Sequence, residues 1–190
     1  MRAVVVAVVL AFACVHARAA DVQAGARKAE PCVACHGPNG NATLPGVPSL
    51  AAQPELYTFL QLVQFREKRR RDAQMSPFAE QLSDRDMRDI GAYFAVQKAV
   101  ASKFQADAVK AAAGRKVLDM HHCNSCHMPD LSGQQQIPRL AGQNYEYLVK
   151  QLRGLKDGSR RDIDGTMASA AQALSEQDIE NLAHYLASMK

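Results

Sequence analysis

The 190-residue chain is predicted to be mostly α, built as two tandem copies of one small helical fold. Three observations point that way. "PSLAAQPELYTFLQLVQF" from Pro48 aligns with "PRLAGQNYEYLVKQLRGL" from Pro138, and "MSPFAEQLSDRDMRDIGAYFA" from Met75 aligns with "MASAAQALSEQDIENLAHYLA" from Met167, so nearly all the chain beyond its start is duplicated. No stretch alternates apolar and polar residues in the way a half-buried strand requires. Ser83 with Asp86, and Ser175 with Asp178, place a hydroxyl and an acid three residues apart at the head of a helical run, the pattern of a capping box.

The elements follow in order. "MRAVVVAVVLAFACVHARAAD" opens with Arg2, runs apolar from Ala3 to Val15 and reaches Ala17-Arg18-Ala19, the small-residue pattern of a cleavage site; residues 1–19 are predicted to be a signal peptide that directs the chain to the periplasm. The apolar run is too short to span a bilayer comfortably. Cys14 is removed with the signal, and Ala11 and Phe12 before it fit a lipoprotein cleavage motif poorly. The remaining residues divide into 20–104 and 105–190, with the boundary in "VQKAVASKFQADAVK" and the second copy under way by Gly114. Each copy begins with a short helix, bearing Gly25 or Gly114. A second helix runs from about Pro54 to Arg66, or Asn144 to Leu155, a loop carries Met75 or Met167, and the capped helix closes the copy. Tyr93 and Tyr185 lie on the closing helices, where a small residue opposite an aromatic lets two helices cross closely. Halves of this size, with few aromatics and no Trp, bury only a modest core. A bound prosthetic group would complete it.

That group is indicated by "EPCVACHGPNGN" and "HHCNSCHMPD", which set Cys32, Cys35 and His36, and again Cys123, Cys126 and His127, in the order CxxCH. Without Cys14, every cysteine lies in one of the two boxes. A redox CxxC belongs with a strand-rich thioredoxin pattern that is absent, and a zinc site needs two further ligands that neither half offers at suitable spacing. The histidine directly behind the second cysteine is the mark of covalent haem c attachment, in which two thiols add to the haem vinyl groups and the imidazole becomes the proximal iron ligand. Two covalently bound haem c groups are therefore expected, on Cys32, Cys35 and His36 and on Cys123, Cys126 and His127. The formal net charge of +4 falls by two when Arg2 and Arg18 leave, and haem propionates offset it further, so the charge supports no nucleic-acid partner.

The order of a Gly-bearing helix, CxxCH, a Pro about a dozen residues on, a Met and a closing helix with "AYFA" or "HYLA" resembles class I cytochrome c. The duplication, with "PSLAAQ" and "LSDRDMRDIGAYFA", is similar to the dihaem cytochrome c4 family from about Ala24 to Ala187. The resemblance implies two class I cytochrome c-like domains, each wrapped around a covalent haem, that face each other across a pseudo-twofold interface with the propionates near it. It also implies that the carbonyls of Pro48 and Pro138 hold the proximal histidines and that terminal helices pack against each other. Met75 and Met167, each seven residues before the Leu that precedes the capping Ser, fall on the family's distal-ligand position, where a thioether raises the potential and fills the coordination sphere. Met87 and Met189 read as packing residues, Met120 and Met128 as weaker ligand candidates, His121 and His122 as surface or haem-edge residues, and His184 as structural. Gly37 behind the first box is replaced by Met128 behind the second, so the two haem edges are expected to differ.

The chain is thus expected to be an exported electron carrier, not an enzyme, cycling iron between Fe(III) and Fe(II) for redox protein partners such as a membrane oxidase or dehydrogenase. The alternatives are a cytochrome subunit of a larger dehydrogenase, such as a sulfide-oxidising flavocytochrome c, and a dihaem enzyme acting on thiosulfate or peroxide. In "FREKRRRD", Arg66, Lys68, Arg69, Arg70 and Arg71 form a candidate docking patch for an acidic partner or an anionic membrane surface with which the protein associates peripherally.

Overall fold

The computed structural model describes residues 19–190; the expected signal peptide, Cys14 included, lies outside the described residues except for Ala19. The first half contains α1 (Val22–Lys28), α2 (Val33–His36), α3 (Glu55–Arg66), α4 (Met75–Glu80) and α5 (Asp84–Ala95). The second repeats the series as α6 (Ala108–Met120), α7 (Asn124–His127), α8 (Tyr145–Asp157), α9 (Thr166–Gln172) and α10 (Glu176–Ser188). Among the described residues the only β feature is an isolated bridge between Gln134 and Ile137. No described helix is long and apolar enough to cross a membrane.

Local sequence explains where the helices begin. The Asp21 carboxylate accepts from the N–H groups of Gln23 and Ala24, and Asp107 does the same for Val109 and Lys110, satisfying amides that the first helical turn leaves without partners. Pro54 and Asn144 are the residues before α3 and α8 rather than their first turns, and α8 continues through Asp157 until Gly158 adopts a left-handed conformation. Both expected capping boxes form, at Ser83 and Asp86 and at Ser175 and Asp178.

Within each half the first helix crosses the last at close range. A Cβ at Gly25 would lie 1.9 Å from the Asp89 carbonyl oxygen and 2.9 Å from Tyr93 Cβ; at Gly114 it would lie 2.0 Å from the Asn181 oxygen and 2.9 Å from Tyr185 Cβ. Only glycine permits these crossings. Around the first, Ala29, Leu62, Met87, Ile90 and Phe94 form a small apolar cluster, while the second half has a larger one that includes Val117, Leu118, Leu148, Leu152, Ile179 and Leu182. His184 is buried beside Phe104 and Tyr145, and its Nδ1 accepts from the Asp107 N–H, which is a structural role.

The halves meet through reciprocal hydrogen bonds. Gln53 donates from Nε2 to the Arg139 carbonyl (2.9 Å) and accepts at Oε1 from the Arg139 N–H (3.0 Å). Gln143, its counterpart in the repeat, donates to the Ser49 carbonyl (3.0 Å) and accepts from the Ser49 N–H (2.8 Å). Both amides are buried, so each interaction forms where water does not compete freely. The Asn144 side chain also bonds to the backbone of Gly46 and Leu44, and the Tyr57 N–H donates to the Gln135 carbonyl.

Candidate haem sites

The two CxxCH boxes occupy the same structural position. Cys32 ends a 3₁₀ turn (Glu30–Cys32) and Cys35 and His36 lie in α2, while Cys123 precedes α7 and Cys126 and His127 lie within it. The first cysteine of each pair is half-buried and the second exposed, and none of the four is paired in a disulfide. Burial raises the Cys32 and Cys123 pKa values and favours the neutral thiol.

His36 and His127 are buried, 6% and 7% exposed. Their Nδ1 atoms lie 2.8 Å from the Pro48 carbonyl oxygen and 2.9 Å from that of Pro138. A carbonyl can only accept, so each proton belongs on Nδ1 and the Nε2 lone pair remains for a metal. Burial lowers both histidine pKa values against the opposing effect of the prolyl hydrogen bond, and the neutral ring is the ligating form.

Met75 and Met167 do not sit on loops as expected. Met75 is the first residue of α4 and Met167 the second of α9. An aspartate holds each in place: Asp72 accepts from the N–H of Met75 (3.0 Å) and Asp162 from that of Met167 (2.8 Å). Burial works against the Asp72 charge, but the Met75 and Gln74 N–H groups outweigh it and keep its pKa below the usual carboxylate value. Met75 packs on the apolar cluster that Cys32 also touches, and Met167 on the cluster that Cys123 touches. By contrast, Met120 is largely exposed, His122 is exposed and Met87 is fully buried in the core.

The Gly37-to-Met128 change leaves the backbone path intact. Gly37 has φ 73° and ψ 169°, and Met128 has φ 72° and ψ 157°. The second box therefore turns out of its helix through a conformation that disfavours a side chain, at a cost of about 1–3 kcal/mol.

The basic run requires a correction. Arg70 is not a free surface charge: its guanidinium donates to Gln61 Oε1 (2.6 Å) and crosses to the second half, donating to the Tyr147 hydroxyl (2.9 Å) and Gln151 Oε1 (2.9 Å). Arg66 pairs with Asp84 and Glu67, and Lys68 with Glu80. Of the five, Arg69 and Arg71 remain exposed and form no ion pair among the described residues.

Arg160, the repeat counterpart of Arg70, adds a second positive charge beside Tyr57 and Tyr147. Its Nε is buried and has no hydrogen-bond partner, and neither arginine forms an ion pair among the described residues. An orphaned donor beside two guanidinium groups suits the carboxylate arms of a haem, so the residues fit the expected cofactor.

The family model described as Cytochrome c matches residues 22–96 and 111–190. Cytochrome c4 of Pseudomonas aeruginosa is 36% identical over 177 residues, covering 88% of each chain. The chain belongs to the cytochrome c4 family. The crystal structure of reduced recombinant cytochrome c4 from Pseudomonas stutzeri superposes with a TM-score of 0.84 at 33% identity, covering 90% of this chain and all of that one. A thiosulfate dehydrogenase electron acceptor of Stutzerimonas stutzeri is 31% identical, over 91% of this chain and 88% of its own length. As a cytochrome c4, the chain is a mostly helical pair of cytochrome c domains that carries electrons on two covalently bound haem c groups.

The cytochrome c4 interface contains residues to which the sequence alone assigned no interface role: Gln53, Gln143, Tyr57, Tyr147 and Arg160, together with Arg70, which was expected on a docking surface. Signals for them were present. The glutamines and tyrosines recur in the aligned segments, and Arg70-Arg71-Asp72 recurs as Arg160-Arg161-Asp162.

Proposed function

We propose that this chain is an exported, periplasmic electron carrier that transforms no substrate, with one haem in each of the domains 20–104 and 105–190 after a signal peptide of residues 1–19. Cys32 and Cys35 bind the first haem and Cys123 and Cys126 the second; His36 and His127 are the proximal ligands, and Met75 and Met167 the distal ones. When bound, each haem supplies a one-electron Fe(III)/Fe(II) couple. The supporting observation is that, in both halves, a buried histidine keeps Nε2 available while the Met and the first cysteine border the same apolar cluster. With a thioether at each iron, no coordination position is left for a substrate.

The test is to replace Met75 and Met167 separately by Leu in the holoprotein. Each substitution is expected to remove about half of the weak far-red sulfur-to-iron band and to open one iron to carbon monoxide, following the two-site ligation. Unchanged spectra in both variants would place the ligands elsewhere.

The partners are redox proteins, and peripheral association with a membrane oxidase or an anionic surface is compatible with exposed Arg69 and Arg71. Similarity to a thiosulfate dehydrogenase electron acceptor supports a second reading, in which the donor is a dehydrogenase and this chain is its cytochrome partner. Stable co-purification with such an enzyme distinguishes a subunit from a free carrier.

A further inference from the structure

The peptide groups Pro48–Ser49 and Pro138–Arg139 each do two things. The Pro48 carbonyl oxygen accepts from His36 Nδ1 (2.8 Å), while the Ser49 N–H of the same peptide donates to Gln143 Oε1 in the opposite half (2.8 Å). The Pro138 carbonyl accepts from His127 Nδ1 (2.9 Å), and the Arg139 N–H donates to Gln53 Oε1 (3.0 Å). Both histidines and both glutamines are buried. We propose that the two glutamines are crossed positioning residues for the redox centres: Gln143, in the C-terminal domain, tunes the N-terminal haem, and Gln53, in the N-terminal domain, tunes the C-terminal haem.

The proposal rests on His36 and His127 being the proximal ligands. Hydrogen bonds in series polarise one another, and an acceptor on the N–H side of an amide makes its carbonyl a better acceptor. A stronger Nδ1–H···O bond makes the imidazole more electron-rich, which favours the more positive ferric iron and lowers the potential. The glutamine does not touch the histidine. Its influence passes through one rigid, planar amide.

The direction of the shift separates this role from simple packing. Loss of Oε1 weakens the chain of hydrogen bonds and raises the potential of the haem in the other domain. A loosened interface admits water, and a wetter surrounding favours the ferric form and lowers the potential. Loss of packing alone would therefore act with the opposite sign.

The test compares Gln53→Met and Gln143→Met in the dihaem protein, which retain side-chain length while removing both hydrogen bonds to the opposite half. Redox titrations are followed by NMR of the haem methyl signals, which separates the two irons. Gln143→Met is expected to raise the N-terminal potential, and Gln53→Met the C-terminal one, by two- to tenfold in the one-electron equilibrium constant, the upper figure being about 59 mV. Gln143→Glu retains an acceptor for the Ser49 N–H and should return the N-terminal potential to, or below, its original value. Amide exchange at Ser49 and Arg139 should accelerate in the corresponding Met variants, reporting loss of the bond independently of the irons.

An uncrossed shift, an equal shift at both irons, a fall in potential, or no shift despite faster amide exchange would overturn the proposal. The ligand assignment is judged separately in protein that keeps both glutamines, by the far-red band and its response to substitution of Met75 and Met167. A failure of cross-tuning with that band intact leaves the ligands standing. If either Met variant fails to fold, the corresponding Leu variant, which also lacks Oε1, decides in its place: a raised potential confined to the opposite iron supports the proposal, and an unchanged or lowered one overturns it.

Discussion

Replacing Gly25 or Gly114 by Ala tests whether the helix crossing governs the stability of each cytochrome domain. Intrinsic helix propensity predicts stabilisation, since Ala exceeds Gly by about 0.8–1 kcal/mol within a helix. The structure predicts the reverse. The added methyl would lie 1.9 Å from the Asp89 oxygen in the first half and 2.0 Å from the Asn181 oxygen in the second, and in both places it meets backbone that cannot rotate aside. Restoring ordinary contact at 3.4 Å requires the helices to part by about 1.4–1.5 Å, which also loosens Ile90 and Phe94, or Leu182 and Leu186. Overpacking of this kind costs about 1–3 kcal/mol or more, and a backbone clash belongs at the upper end, leaving a net loss of about 2 kcal/mol after the propensity gain. For domains of this size that corresponds to a fall in Tm of about 8–16 °C. Differential scanning calorimetry of the holoprotein provides the measurement. A Tm equal to or above the original in both variants would refute the argument that the close crossing dictates glycine.

The corrected view of the basic run predicts that Arg70→Ala lowers thermal stability through loss of its bonds to Tyr147 and Gln151, with little effect on salt dependence, whereas Arg69→Glu with Arg71→Glu slows exchange with an acidic redox partner and flattens its salt dependence. Stopped-flow rates across ionic strength, paired with melting curves, distinguish the two effects. Asp72→Ala and Asp162→Ala should each weaken the far-red band of one haem, because the Met N–H loses the carboxylate that holds it; full band intensity in both variants would exclude that role. The capping carboxylates Asp86 and Asp178 have lowered pKa values, the first chiefly from Lys28 and Ser83 and the second chiefly from Ser83's counterpart, Ser175. Their stabilisation is present above the unfolded Asp pKa and is lost as pH falls through the lower folded values. Replacing both by Asn should therefore reduce the acid dependence of unfolding, as read by circular dichroism during acid titration.

Local chemistry was the most legible part of the sequence. CxxCH is a contiguous instruction, and a capping box spans four residues, so the helix starts at Ser83 and Ser175 and the placement of His36 and His127 required no knowledge of distant contacts. The prolyl carbonyls came from resemblance and agree with the observed bonds. Charge was legible only in part: Arg69 and Arg71 are exposed, but Arg70 between them turns inward because two of its three hydrogen-bond partners, Tyr147 and Gln151, lie in the other half of the chain. The methionines occupy equivalent places in the two halves but lie in the first turn of a helix rather than on a loop; those helices are short and are organised by Asp72 and Asp162 a few residues earlier, which leaves little local signal. The roles of Gln53 and Gln143 emerge only when two distant segments are brought together.

The reciprocal glutamine contacts give the interface the logic of a dimer. In an isologous pair, each partner offers the same surface, and what one donates the other returns. Each half of this chain contains both the glutamine and the peptide that receives its counterpart, so the surface is self-complementary even though the halves are no longer identical. Joining the partners in one polypeptide makes their meeting intramolecular, at an effective concentration on the order of millimolar for a short flexible connection. An association too weak to persist between separate small proteins can thereby be permanent, and the equivalent positions are free to diverge. Gly37 and Met128 show that divergence on a shared backbone.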